Sequence, residues 1–145
     1  MAVKDQGVRL NQGKPRVDLL PWDVMGPLPD PLAEGLRLWW LRRPGGKFDL
    51  SDDDALAVAE VMTAGLAKYD ARNWELGLEF SGVFASAMRH YLKGDALDSE
   101  SGLPHRWHFL CNLVFLHTFI RRGRADLDDR PGALMLGAGS GGARE

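Results

Sequence analysis

Asp98-Ser-Glu-Ser-Gly-Leu-Pro-His-Arg-Trp-His-Phe-Leu-Cys-Asn112 is the stretch that decides how this chain reads. Its fifteen residues carry two carboxylates, two imidazoles and an amide. The second half reads as the start of a helix that runs to about Arg122. On an α-helix His105, His108 and Asn112 stand at i, i+3 and i+7 and share one stripe. Trp107, Phe109, Leu110, Cys111, Leu113, Val114, Phe115 and Leu116 surround them, and a helix that is apolar nearly all round is buried. Its polar groups must then be hydrogen-bonded, hold a ligand or line a pocket. Asp98 and Glu100 arrive just before it, on a loop held by Gly102 and Pro104. Pro104 suits a first helical turn, where a missing N–H costs nothing.

The limits come from length and composition. A chain of 145 residues suits one domain with one core. Hydrophobic content of 45% and charged content of 26% belong to a globular chain. The net charge of −2 gives no basic excess, so a dedicated duplex-DNA binder is not expected. The one cysteine, Cys111, has no partner for an internal disulfide and sits among core residues. The first residues lack a signal-peptide apolar region, and no apolar run approaches a membrane span. We therefore expect a cytoplasmic protein with no membrane partner.

Outward from the central stretch, the chain reads as helices joined by turns. Gly13-Lys-Pro-Arg-Val-Asp-Leu-Leu20 is an extended arm in which Lys14 and Arg16 point to an anion or to plain solvent. Three prolines make 21–30 a connector. Leu32–Arg43 is a short helix whose Trp39 and Trp40 form a core wall or an oligomer contact. Ser51 is an N-cap and Asp52, Asp53 and Asp54 suit the positive end of a helix dipole. That helix is expected to run to Tyr69 with an apolar stripe of Leu56, Ala59, Met62, Thr63, Leu66 and Tyr69. Glu60, mid-helix, is either a solvated flank or a carboxylate facing a pocket. Tyr69-Asp-Ala-Arg-Asn-Trp-Glu-Leu-Gly77 is a polar, aromatic loop. In it Arg72 fits phosphate, Asn73 fits a base edge, and Tyr69 and Trp74 offer stacking surfaces. Ser81–Lys93 is amphipathic, with Val83, Phe84, Ala87, Met88, Tyr91 and Leu92 on one face. The other face carries Ser86, Arg89, His90 and Lys93 and is either solvent surface or a phosphate cradle. No strand pattern of useful length appears. The fold expected is all-α, a compact bundle of about four to five helices with an extended N-terminal arm. Residues 1–130 are expected to form one domain, and 131–145 a disordered Gly-rich tail.

The chain has no nucleotide-binding glycine loop, HExxH, CxxC or G-x-S-x-G, which leaves serine-hydrolase and zinc-protease readings without support. What remains are acids (Glu60, Asp98, Glu100), imidazoles (His90, His105, His108) and cationic groups (Lys14, Lys68, Arg72, Arg89, Lys93). Carboxylates that hold Mg²⁺ are a usual means of handling triphosphates. Histidines at i, i+3 suit Zn²⁺ or another transition ion instead.

Four runs carry a resemblance. They are Gly13-Lys-Pro-Arg-Val-Asp-Leu-Leu-Pro21, Lys68-Tyr-Asp-Ala-Arg-Asn-Trp-Glu-Leu-Gly77, Met88-Arg-His-Tyr91, and Gly94 through His108 with Asn112. In this order they resemble the phage-associated family called dATP/dGTP diphosphohydrolase, N-terminal domain, which is similar to the all-α MazG-like nucleotide pyrophosphohydrolases. The resemblance implies cleavage of a purine deoxynucleoside triphosphate to monophosphate and pyrophosphate with Mg²⁺, Mn²⁺ or another divalent cation. Glu60, Asp98 and Glu100 would hold the metal, with Glu60, Glu100 and His105 as catalytic groups. Lys14, Lys68, Arg72, Arg89, His90 and Lys93 would meet phosphates, Tyr69, Asn73 and Trp74 the base, and His108 and Asn112 the rest of the pocket. A homo-oligomer is implied as well, with Trp22, Trp39 and Trp40 as its apolar surface. Two other readings stay open at this point. One is a protein that sequesters a cyclic or signalling nucleotide without cutting it, and the other is a helical scaffold whose polar residues satisfy one another.

Overall fold

The computed structural model describes residues 13–46 and 48–132. Five helices carry the fold: α1 (Trp22–Met25), α2 (Pro31–Trp40), α3 (Asp52–Gly65), α4 (Phe80–Lys93) and α5 (His105–Arg121). Short 3-10 turns cover Val17–Leu19, Asn73–Leu76 and Ala125–Leu127. Among the described residues the only β pairing is an isolated antiparallel bridge, Leu97 to Pro104. The all-α expectation therefore holds. The expected tail lies, apart from 131–132, outside the described residues, as does the arm before Gly13.

Local chemistry sets most boundaries. Asp30 caps α2 by accepting from the Leu32 and Ala33 N–H groups, with Pro31 in the first turn. The helix stops at Trp40, and Arg42 then takes a left-handed φ of 59°. Ser51 and Asp54 form a reciprocal capping box at the start of α3. That helix ends at Gly65, short of the expected Tyr69. Glycine is a poor helix residue, and the chain tightens past it, with the Leu66 and Ala67 N–H groups bonded to Thr63 and Ala64 carbonyls. Phe80 starts α4 without a local cap. Asp129 supplies one from far along the chain, accepting the Ser81 N–H at 2.7 Å.

The core is aromatic at its centre. Phe84 of α4 is fully buried, with Trp40 stacked on it at 4.1 Å and Trp22 edge-on at 5.7 Å. This corrects one expectation: Trp22 and Trp40 are core residues, 1% and 4% exposed, and offer no surface to a second copy. Trp39 is half-buried and carries the Arg130 guanidinium 4.4 Å above its ring. Below α1, the buried Arg37 is held by Glu34 at 2.8 Å and donates to the Trp22 carbonyl. Gly26 leaves it room, since a Cβ there would lie 2.1 Å from the guanidinium carbon.

The stripe expected on α3 is also corrected. The helix packs on α5 through Ala57, Val58 and Val61, whereas Leu56 and Leu66 stay 68% and 57% exposed. The two apolar stripes of this helix are offset by about a third of a turn, and the smaller side chains won the closer packing against α5. On α4 the expected apolar residues Val83, Phe84, Ala87 and Met88 are fully buried, Leu92 is exposed, and the polar face is buried as well at Ser86 and Arg89.

The chain closes over itself at 125–131. Arg130 binds the Asp128 carboxylate twice and donates to the Trp39 carbonyl, and Arg42 reaches Asp128 from the other side. The hydrogen bonds from Arg130 hold the Asp128 carboxyl down to about 2, against an opposing push from burial. A carboxyl depressed in the folded state stabilises the fold above its ordinary value near 3.8 and loses that contribution as pH falls through about 2. Asp128→Asn is therefore expected to lower stability at pH 7 by about 1–2 kcal/mol and to flatten the pH dependence between 4 and 2. Urea unfolding across that window measures both; parallel curves for the two proteins would remove the claim.

Candidate functional site

α4 and α5 lie against each other along their polar stripes. Ser86 and His90 stand one turn apart on α4, and His105, His108 and Asn112 share the facing stripe of α5. Asn112 donates to the Ser86 hydroxyl at 3.2 Å and to the His108 carbonyl at 2.9 Å. His90 Nδ1 lies 2.8 Å from His105 Nδ1, so one ring donates and the other accepts. The His90 and His108 rings stack at 4.7 Å and 18°.

The loop from Gly94 to Pro104 closes one side of this array. The bridge between Leu97 and Pro104, with the His105 N–H bonded to the Ala96 carbonyl, ties it to the start of α5. Inside it Asp98 accepts the Glu100 N–H at 2.7 Å and the Gly102 N–H bonds its carbonyl. The carboxylate is left 3.7 Å from His108 Nε2, and Ser101 Oγ lies 2.7 Å from the same nitrogen. His90, Asp98 and His108 thus bring ligating atoms within 4.8 Å of one another, a group able to hold a metal ion. Burial first, then the neighbouring His108, His105 and Arg89, holds His90 down to about 3, so its ring is neutral at pH 7. Burial pushes Asp98 up, but the Glu100 N–H and the His108 ring outweigh it and keep the carboxyl below its ordinary value.

These groups line a cleft of about 510 Å³. Its far wall is the end of α3 and the loop after it, from Val61 to Glu75. Of the residues expected at a site, Lys14, Lys68, Tyr69, Arg72, Asn73, Trp74, His90, Asp98, Glu100, His108 and Asn112 all line it. At the mouth, Glu100 accepts from Lys68 at 2.8 Å with Lys14 at 3.7 Å. The Lys68 hydrogen bond and the Lys14 charge hold Glu100 below the usual carboxylate range. Arg72 is mostly exposed, in a left-handed turn at φ 62°, and pairs with Glu75. One face of Trp74 is taken by Phe115 at 4.5 Å.

Four expected residues do not line the cleft. Glu60 is exposed and borders a separate shallow groove with Asp53, Asp54 and Arg106, so Glu60, Asp98 and Glu100 are not brought together. Its neighbours Val58 and Val61 are buried, and Glu60 lies beside Trp107 and Leu110 of α5, outside the cleft. Arg89 is buried and donates to the Pro15 carbonyl, pinning the arm that carries Lys14. Lys93 is exposed at the end of α4. His105 is buried behind His90 and reaches the cleft only through it. Ser86, expected on a solvent face or phosphate cradle, lines the cleft, and so do Ser101, Cys111 and Phe115, which were not singled out as ligand contacts. Ser86 and Cys111 were legible as the residues next along the two polar stripes.

The family model described as dATP/dGTP diphosphohydrolase, N-terminal, matches residues 47–130. The chain belongs to that family. No curated protein and no solved structure matches it. The matched span holds α3, α4, α5 and the whole cleft wall except Lys14. A diphosphohydrolase family implies a divalent metal, and the His90–Asp98–His108 group is where the described residues offer one a place. The donor set does not fit Mg²⁺ well, because that ion takes near-octahedral oxygen ligands and this group supplies one carboxylate and two imidazoles. No helix of the described residues is long and apolar enough to cross a membrane.

Glu100→Gln separates the roles open to this carboxylate. Both Glu100 and Lys68 are substantially exposed, so the loss of their pair should change stability by less than about 1 kcal/mol. With Lys14 and Lys68 released, the variant is expected to bind inorganic pyrophosphate more tightly than the parent in calorimetry. Weaker binding, seen only when a divalent cation is present, would instead make Glu100 a metal ligand.

Proposed function

We propose that the cleft binds a purine deoxynucleoside triphosphate and cleaves it to the monophosphate and pyrophosphate. One observation carries the reading. Lys14 and Lys68 stand at the mouth of the cleft, held by Glu100, while two imidazoles and a carboxylate able to take a divalent cation line the same cleft. A bound divalent cation would neutralise phosphate charge and supply an activated water.

The chain's own residues do the rest. The phosphates compete with Glu100 for Lys14 and Lys68, exchanging one anion for another without leaving a cation bare. Arg72, extended from its turn, closes on the outer phosphate with its forked donors. Trp74 is fixed against Phe115 and leaves Tyr69 and Asn73 beside it to meet the base. The neutral His90 and the ionised Asp98 need give up no proton at pH 7 before they bind a cation. His105 holds the His90 ring in place.

The test is incubation with each deoxynucleoside triphosphate and Mg²⁺, Mn²⁺, Co²⁺ or Zn²⁺, followed by chromatography. Monophosphate with pyrophosphate is expected, strongest for purines. Lys68→Met should weaken triphosphate binding by about 10–100-fold, the worth of a charge-assisted phosphate contact. The absence of turnover with every nucleotide and metal would remove the enzymatic reading. The separation of Glu60 from Asp98 favours, in that event, a protein that holds a nucleotide without cutting it. Intact ligand recovered after denaturation identifies that case.

A homo-oligomer is part of the same proposal, with its surface moved. Leu56 on α3 and Leu66 just past its end are exposed apolar side chains, Leu56 beside the separate groove and Leu66 in the cleft wall, whereas Trp22 and Trp40 are buried. Light scattering should give a multiple of the chain mass, and Leu56→Lys with Leu66→Lys should return the single-chain mass. A monomer at all working concentrations would remove this part.

A further inference from the structure

We propose that His90, Asp98 and His108 form a transition-metal centre selective for a borderline ion such as Zn²⁺ or Co²⁺ over Mg²⁺, with His105 as the residue that positions His90. The inference stands whether or not the cleft cuts a nucleotide.

The three side chains come from three separate pieces of chain: α4, the loop after it, and α5. Imidazole is a preferred donor for Zn²⁺ and its neighbours in the first transition row, and a poor replacement for water on Mg²⁺. Two imidazoles with one carboxylate are also a ligand set that leaves a fourth position for water or substrate, and here that position opens to the cleft. Ligands on a tetrahedral ion of this kind lie roughly 3.3–3.6 Å apart, from bond lengths of about 2.0–2.2 Å. His108 Nε2 and Asp98 Oδ2 are already 3.7 Å apart, and the full set spans no more than 4.8 Å. Closing that gap around one ion requires the stacked His90 and His108 rings, 18° apart, to turn until their lone pairs converge, and His108 Nε2 to exchange the Ser101 hydroxyl for the ion.

The support around the ligands points the same way. A metal-bound histidine donates its other ring N–H to a fixed acceptor, which sets its tautomer and orientation. His105 Nδ1 lies 2.8 Å from His90 Nδ1, and in the tautomer in which His105 accepts, His90 Nε2 keeps its lone pair for an ion. Asp98 is likewise fixed by the Glu100 N–H on its other oxygen, and α5 is braced beneath His108 by Asn112. No other group of three His, Cys, Asp or Glu side chains among the described residues approaches as closely. Glu100 stays out of the set because Lys68 and Lys14 hold it.

The experiment uses the full chain, stripped of metal and free of nucleotide. Addition of Co²⁺ should give visible absorption that saturates at one equivalent, persists in excess Mg²⁺ and is bleached by Zn²⁺. In the wild-type protein the same titration should broaden the ring resonances of His90 and His108 before those of His117, which is exposed on the outer face of α5. Asp98→Asn and His108→Ala should lose the absorption. His105→Phe should keep the stoichiometry and weaken binding about 10–100-fold. His105→Asn, which retains a hydrogen-bond acceptor, should recover most of the loss. Displacement of Co²⁺ by comparable Mg²⁺, first broadening at His117, or full binding in Asp98→Asn would overturn the centre. Unchanged affinity in His105→Phe would overturn the positioning role. Since turnover is measured nowhere in this series, its failure leaves the nucleotide reading to its own assay.

Discussion

Two polar stripes, on α4 and on α5, are buried against each other, and the rest of the molecule follows from that constraint. Buried polar groups must find partners, because each one left without costs on the order of 1–3 kcal/mol. Ser86 finds Asn112, and His90 finds His105. These pairings fix the rotation of each helix about its own axis more sharply than apolar packing does, since a hydrogen bond tolerates little angular error. Once they are set, Phe84 is aimed at Trp40 and Trp22 on the other side of α4. The same contact thus orients both the core and the cleft.

Much of this was written locally in the chain. Ser51 with Asp54, Asp30 before Pro31, and Pro104 ahead of His105 mark helix starts through chemistry that spans three or four residues. The stretch from Asp98 to Asn112 could be read because its loop and its helix are sequence neighbours. What was not legible depended on distance. Arg89 read as a solvent cation or a phosphate ligand because a partner it binds, the Pro15 carbonyl, lies 74 residues away. Glu60 was ambiguous because α3 offers two apolar stripes, and only the docking on α5 chooses between them. Trp40 read as core wall or oligomer contact, with core the commoner case, and Trp22 as contact surface; the packing of both on Phe84 places them in the core. Family resemblance supplied the substrate class and Mg²⁺, and no periodicity in the chain did. The imidazole-rich donor set is a property of three segments brought together, so it emerges only in the folded protein.

The cleft and the core share walls, and this has a bearing on how the site is held. Trp74 and Phe115 line the cleft, yet both pack against the main apolar cluster. Arg89 does not line the cleft, but by holding Pro15 it keeps Lys14 within reach of Glu100. Binding surface and scaffold are therefore not separable layers. A change at either is felt by the other through contacts that have little slack.

Asp129 capping the first turn of α4 has a consequence for how the chain is made. A ribosome delivers α4 well before it delivers residue 129, so the N–H groups at that helix start wait in water while the following 48 residues emerge. Until then α4 is free to fray at the end that carries Phe80 and, one turn on, Phe84. The loop this contact closes encloses α4, α5 and every ligand of the proposed metal centre. The cap thus closes a loop of 48 residues, in which a later segment completes the start of a helix made well before it.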